Sequence, residues 1–325
     1  MPGLPSRNCL MVAAATPVGR DFRPDRSRLI ARIGQLLNLG CDGVALFGTT
    51  GEGPAFSVED RMEALDAVTA AGIDPAKIIV SAGAMVLSDV ARLSRHATDR
   101  GVHGVLLMPP CMFREGITED GTFRYFDAVI DRVERSNLNL YLYHFPGISG
   151  VPITPGVLRR LDERHPGIVA GVKDSGGDSD YTETLVRRFS HLSIFTGSEI
   201  HVPDLLTVGL RGTICGLANV MPRLMRVMMD QLTAFDRRAS LPLILSGDAI
   251  LSRAPFIPSV KAVIAASLED PAWRSVVPPL AEVPVVERGR LVADFANWDA
   301  SLPPECQSFP HDAPVSEKVV SLRRA

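Results

Sequence analysis

Eight short apolar runs punctuate the chain, at residues 9–16, 42–48, 77–83, 104–109, 138–145, 168–174, 192–197 and 212–217. Within each run the apolar positions are continuous rather than alternating, the pattern of parallel strands covered on both faces. Amphipathic stretches at helical spacing separate them. One is SVEDRMEALDAVTAA (57–71), where Ser57, Val58 and the acids Glu59 and Asp60 form a capped start. A phrase also recurs: LGCDGVALFG (39–48), RGVHGVLLMPP (100–110) and VGLRGTICG (208–216). Its first glycine suits a helix C-cap and its second is expected to open a tight turn into a strand. The copies fall at multiples of a unit of about 27–30 residues, the size of one strand plus one helix. Eight such units predict a closed (β/α)8 TIM barrel in the α/β class. An open doubly wound sheet is the runner-up, but no glycine-rich dinucleotide turn follows the first run.

The pattern divides the chain into a barrel over 1–222, C-terminal helices packed on it over 223–298, and an irregular tail over 299–325. At 325 residues and 46% hydrophobic content the core can be large. A net charge of −3 with mixed signs offers neither a nucleic-acid stripe nor a polybasic membrane patch. The five cysteines are scattered with no CxxC pair, the usage of a reducing compartment rather than a disulfide framework or zinc site. The run CLMVAAATP after Arg7 faintly suggests a signal peptide but reads better as the first strand. No run approaches the ~20 apolar residues that span a bilayer. The expected location is the cytoplasm.

Chemistry is expected where barrel strands end, and one strand end stands out. In IVAGVKDSGG (168–177) a lysine closes a run that otherwise reads as buried core. Of the 34 basic residues only Lys77, Lys173, Lys261 and Lys318 are lysine; the rest are arginine. Arginine does not deprotonate in proteins, whereas a buried lysine can act as a neutral nucleophilic amine. Lys77 and Lys261 are expected at the surface or at a strand start. Tyr143 ends the neighbouring run, and adjacent strands lie ~5 Å apart, so both side chains converge if their pleat parity agrees. The pair Thr49-Thr50 in GTTGE, flanked by glycines, exposes hydroxyls and backbone N–H groups to an anion. Amine, phenol and carboxylate cradle together suit Schiff-base chemistry on a 2-keto acid.

GTTGE (48–52), YHFPGISGVPIT (143–154) and GVKDSGGD (171–178) resemble the three signatures of the N-acetylneuraminate lyase / dihydrodipicolinate synthase family of class I pyruvate aldolases. Order and spacing agree over roughly 10–300. The resemblance implies that Lys173 forms the imine, Tyr143 relays protons and Thr49 hydrogen-bonds the tyrosine. Thr50 would hold the carboxylate. Gly48, Gly197, Ile214 and Ile148 would complete the substrate pocket, with Glu199 binding substrate hydroxyls. The imine serves as electron sink, so no metal or organic cofactor is implied. The partners implied are pyruvate, an aldehyde and further copies of the chain, as a homodimer or homotetramer.

Departures from the synthase branch matter too. Ile148 stands where that branch has an arginine, and Pro110-Cys111-Met112 where it places a second tyrosine. His144 replaces the asparagine usual beside the tyrosine. These differences favour the lyase branch and a sugar-acid-like 4-hydroxy-2-keto acid over dihydrodipicolinate synthesis. A keto-deoxy acid dehydratase using the same imine is the close alternative. From another class, a barrel retained as a non-catalytic keto-acid binder would need no nucleophile.

Overall fold

The computed structural model describes residues 4–112, 114 and 116–309. The part of the expected tail from 310 to 325 lies outside the described residues. Eight parallel strands form a closed barrel in sequence order: β1 (Cys9–Ala13), β2 (Gly43–Leu46), β3 (Ile78–Ser81), β4 (Gly104–Leu107), β5 (Leu140–His144), β6 (Val169–Asp174), β7 (Ser193–Thr196) and β8 (Gly212–Cys215). Closure comes from β1 against β8, with Cys9 opposite Gly212 and Met11 opposite Ile214. All eight runs become strands, each shorter than its run, because rim residues past the last ladder bond are still apolar or small. The segment read against a signal peptide is the first staple of the barrel.

Around the barrel lie α1 (Arg26–Asn38), α2 (Val58–Ala70), α3 (Leu87–Asp99), α4 (Glu119–Val133), the short α5 (Pro146–Ser149), α6 (Pro155–Arg164), α7 (Ser179–Arg188) and the short α8 (Val202–Leu205). Several start where a side chain accepts an otherwise orphaned N–H: Ser57 before α2, Thr118 before α4, Thr154 before α6, Asp178 before α7. Continuous apolar strands are explained by two separate clusters. On β1, Cys9, Met11 and Ala13 fill the barrel interior, while Leu10 and Val12 pack outward against the helices.

The recurring Gly-x-x-Gly phrase is half as expected. Gly40, Gly101 and Gly209 all follow helices at positive φ. The second glycines do not open a turn. Gly43, Gly104 and Gly212 are themselves the first strand residues. A Cβ at Gly212 would lie 1.9 Å from the Cys9 carbonyl oxygen, so close strand approach is what selects glycine there.

After β8 the chain continues in α9 (Pro222–Asp230), α10 (Ala234–Leu251), α11 (Phe256–Ser267) and α12 (Val285–Ser301). In α11 every residue from Pro258 to Ala265 is buried, which makes it an internal helix rather than a cover. Residues 302–309 are more ordered than an irregular tail. The Asp299 carboxylate accepts the Ser308 and Phe309 N–H groups, and the Phe309 ring lies 5.7 Å from Phe295. Among the described residues no single helix is long and apolar enough to cross a membrane.

Candidate active site

The convergence of Lys173 and Tyr143 depends on one irregularity. Leu140 on β5 pairs with Val169 on β6, but Tyr141 pairs with Gly171, so β6 carries one extra residue at that point. The shift brings Tyr143 opposite Lys173 and His144 opposite Asp174. Without it Tyr143 would face Val172, whose side chain points to the outer core. The bulge therefore aligns the two functional groups on the barrel interior.

There the Lys173 Nζ donates to the Tyr143 hydroxyl at 3.2 Å and lies 4.3 Å from its ring centroid. Both residues are buried. Thr49 and Ser175 also hydrogen-bond the Tyr143 hydroxyl. Burial works against ionising this phenol, yet the Lys173 charge and the hydroxyls of Thr49 and Ser175 outweigh it and hold its pKa below the ordinary tyrosine value. A phenol so placed can release and recover a proton near the amine.

Thr49 and Thr50 occupy a tight loop after β2. The Gly53 N–H donates to the Gly48 carbonyl at 3.2 Å, and the Glu52 N–H to the Thr49 carbonyl at 3.1 Å. Thr16 secures the loop from β1, donating to the Gly51 carbonyl at 2.7 Å. The N-cap of α2 is Ser57, so the threonines are not spent on capping that helix. Gly48 is buried with open space where a Cβ would stand, and the Thr50 hydroxyl lies beside Gly216 and the Phe256 ring of α11.

Gly197, after β7, leaves room for the site's polar groups. A Cβ there would lie 2.2 Å from the Ser175 hydroxyl and 3.4 Å from Lys173 Cε. Ile214 is a fully buried member of the interior cluster that also holds Tyr143. Glu199 follows β7 in a 3-10 turn (Glu199–His201). Desolvation of its carboxyl, reinforced by Asp248, raises its pKa to about 7, while hydrogen bonding to Cys215 and the Lys173 charge oppose the rise. Cys215 is buried beside it, and burial pushes its thiol well above the ordinary range. Cys111, by contrast, is exposed. Ile148 sits on α5, and its carbonyl accepts from Arg114 Nη2 at 2.8 Å. A guanidinium therefore stands beside position 148, supplied by the β4–α4 loop.

His144 faces outward, as expected from strand alternation. Its Nδ1 accepts the Ile153 N–H at 3.0 Å, which leaves the ring proton on Nε2, and the ring stacks on Tyr181 at 4.3 Å. Desolvation lowers the imidazole pKa against the pull of Asp174 and Asp178. Behind it, Asp174 accepts from the Gly176 N–H and the Thr182 hydroxyl. This outer network fixes the two strand ends from which Tyr143 and Lys173 project.

Two features escaped the sequence reading. Ser175 had a legible signal, since it lies two positions beyond Lys173 and shares its face. Lys261 requires a correction. It is not a surface lysine but fully buried on α11, ion-paired with Glu52 of the GTTGE loop. An isolated SVKAVIAA does not reveal that its helix is enclosed on every side.

Comparison with known proteins decides the family. The dihydrodipicolinate synthetase family matches over residues 7–266. The chain belongs to this family. A family relative from Chloroflexus aurantiacus, described as an uncharacterized DapA-like lyase, is 31% identical over 97% of this chain and 95% of that protein. The 4-hydroxy-tetrahydrodipicolinate synthase of Mycobacterium leprae is 32% identical over 68% of this chain and 71% of its own. Among solved structures, dihydrodipicolinate synthase from Agrobacterium tumefaciens superposes with a TM-score of 0.82 at 30% identity, covering 90% of this chain and 99% of that one. A 2-keto-3-deoxygluconate aldolase variant from Sulfolobus solfataricus shares the fold, with a TM-score of 0.80 at 22% identity over 90% and 97% of the two chains.

Proposed function

We propose that this family member is a Schiff-base lyase that cleaves or forms a 4-hydroxy-2-keto acid of sugar-acid type, with pyruvate as its keto-acid product or substrate. The observation that carries the reading is the buried Lys173 amine within hydrogen-bond reach of the Tyr143 hydroxyl, itself bonded by Thr49 and Ser175. Lys173 adds to the substrate ketone, and the carbinolamine loses water to give the imine. Tyr143 takes the C4 hydroxyl proton, the C3–C4 bond breaks, and its electron pair passes to the imine nitrogen. An aldehyde leaves. The remaining enamine is protonated at C3 and hydrolysed to pyruvate. The Thr49-Thr50 loop is assigned to the substrate carboxylate, and Glu199 to hydroxyls further along the chain. The covalent imine is the electron sink, so the scheme calls for no metal or organic cofactor.

A second reading rests on Glu199. An acid with a pKa of about 7 at the mouth can give a proton to a departing C4 hydroxyl. In that case Tyr143, as phenolate, removes a C3 proton from the imine, and the resulting enamine expels the protonated C4 hydroxyl as water rather than losing an aldehyde, which makes the enzyme a dehydratase. Incubation with a panel of 4-hydroxy-2-keto acids, assayed separately for pyruvate and for dehydrated product, distinguishes the readings. Pyruvate release supports the aldolase. Water loss without pyruvate shifts the assignment to the dehydratase, and inertness toward every acid in the panel rejects both.

A further inference from the structure

The GTTGE loop is tied to the C-terminal helices by a buried ion pair whose members lie 209 residues apart in sequence. Glu52 ends the motif in a left-handed conformation, φ 55°, and its carboxylate is buried. One carboxylate oxygen accepts from the Lys261 ammonium and the other from the Val277 N–H at 2.7 Å. The two side chains are 2% and 0% exposed. Burial lowers the Lys261 pKa, and the Glu52 charge resists that.

A buried ion pair is a poor source of net stability, since desolvation offsets most of the attraction and an apolar pair of equal volume can do as well. What it supplies is direction. The two acceptors of Glu52 are both used, so the carboxylate and the loop that carries it have one orientation. Thr49 and Thr50, with Gly51, lie between the first glycine of that loop and this anchor. The same helix reaches the mouth again through Phe256, whose ring lies with the Thr50 hydroxyl beside Gly216.

We infer that Lys261 is a positioning residue, holding the Thr49-Thr50 cradle against the keto-acid carboxylate and the Tyr143 hydroxyl through Glu52. The inference rests on the proposed imine chemistry. It touches neither substrate nor reacting atoms and acts only through the loop.

The test compares pyruvate trapping by borohydride in the wild-type protein and in Lys261→Met, Glu52→Gln and the apolar double variant Glu52→Leu/Lys261→Met. Melting temperature and the pH dependence of trapping are measured alongside. A positioning role predicts that Lys261→Met needs on the order of ten to a hundred times more pyruvate for half-maximal trapping. Its Tyr143 limb moves to higher pH as the Thr49 hydrogen bond loosens. Glu52→Gln, which keeps an acceptor but not the charge, falls between. If Lys261→Met does not fold, the double variant leaves no unpaired buried charge and is expected to show the same weakened trapping. Wild-type trapping and pH dependence in any folded variant lacking Lys261, whatever its melting temperature, overturn the inference alone. No trapping in the wild type removes the imine reading, and this inference with it.

Discussion

Lys173 faces a phenol and Lys261 a carboxylate, and those neighbours set what each buried amine can do. Lys261 is sealed from solvent and committed to Glu52. Lys173 donates to the Tyr143 hydroxyl and lies at a strand end where a ketone can arrive. Tyr143 depends in turn on the groups that stabilise its ionised form: the Lys173 charge and the hydroxyls of Thr49 and Ser175. Tyr143→Phe keeps the ring and its packing but removes the proton carrier. It is expected to lower kcat by about 10²–10⁴-fold, the usual worth of a general acid–base group, with little change in melting temperature. Steady-state assays on whichever keto acid turns over check this. A Phe variant of wild-type rate would transfer the proton work to another group, with Glu199 the first candidate.

Elements, rather than residues, explain how the pair comes together. The extra residue of β6 near Tyr141 was not legible in IVAGVKDSGG, because a bulge depends on the partner strand and leaves no mark in a continuous apolar run. The eight strands were legible because a doubly covered parallel sheet needs uninterrupted apolar runs. Behind the bulge, His144 joins β5 to the segment entering α6 through the Ile153 N–H. That bond requires a neutral Nδ1. Desolvation holds the folded-state pKa of His144 below its ordinary 6.5, so its contribution to stability is complete above pH 6.5 and declines as the pH falls through the lower, folded value. His144→Asn offers an amide oxygen that does not titrate. Its melting temperature is expected to fall less steeply than that of the wild type between pH 7 and 5. Parallel slopes in thermal melts would show that the imidazole does not control this region.

At the scale of the whole molecule, the C-terminal helices are tied to the candidate site through the Lys261–Glu52 pair. The sequence pattern located them beyond the barrel, and the enclosure of α11 was legible there although the surface expectation for Lys261 overlooked it. A helix apolar on nearly all sides is itself a sign of burial, and PFIPSVKAVIAA carries that sign around Lys261. What no local pattern contains is the partner, since Glu52 belongs to a loop at the other end of the chain. The family signatures were legible for a different reason: glycine, threonine, tyrosine and lysine are each chemically hard to replace in the proposed imine chemistry. The central claim is that one lysine, Lys173, carries that imine. Borohydride reduction in the presence of pyruvate, followed by peptide mass mapping, tests it most directly. The account predicts a reduced pyruvate adduct on the peptide containing Lys173, absent from Lys173→Arg. An unmodified chain, or an adduct on Lys261 instead, would contradict it.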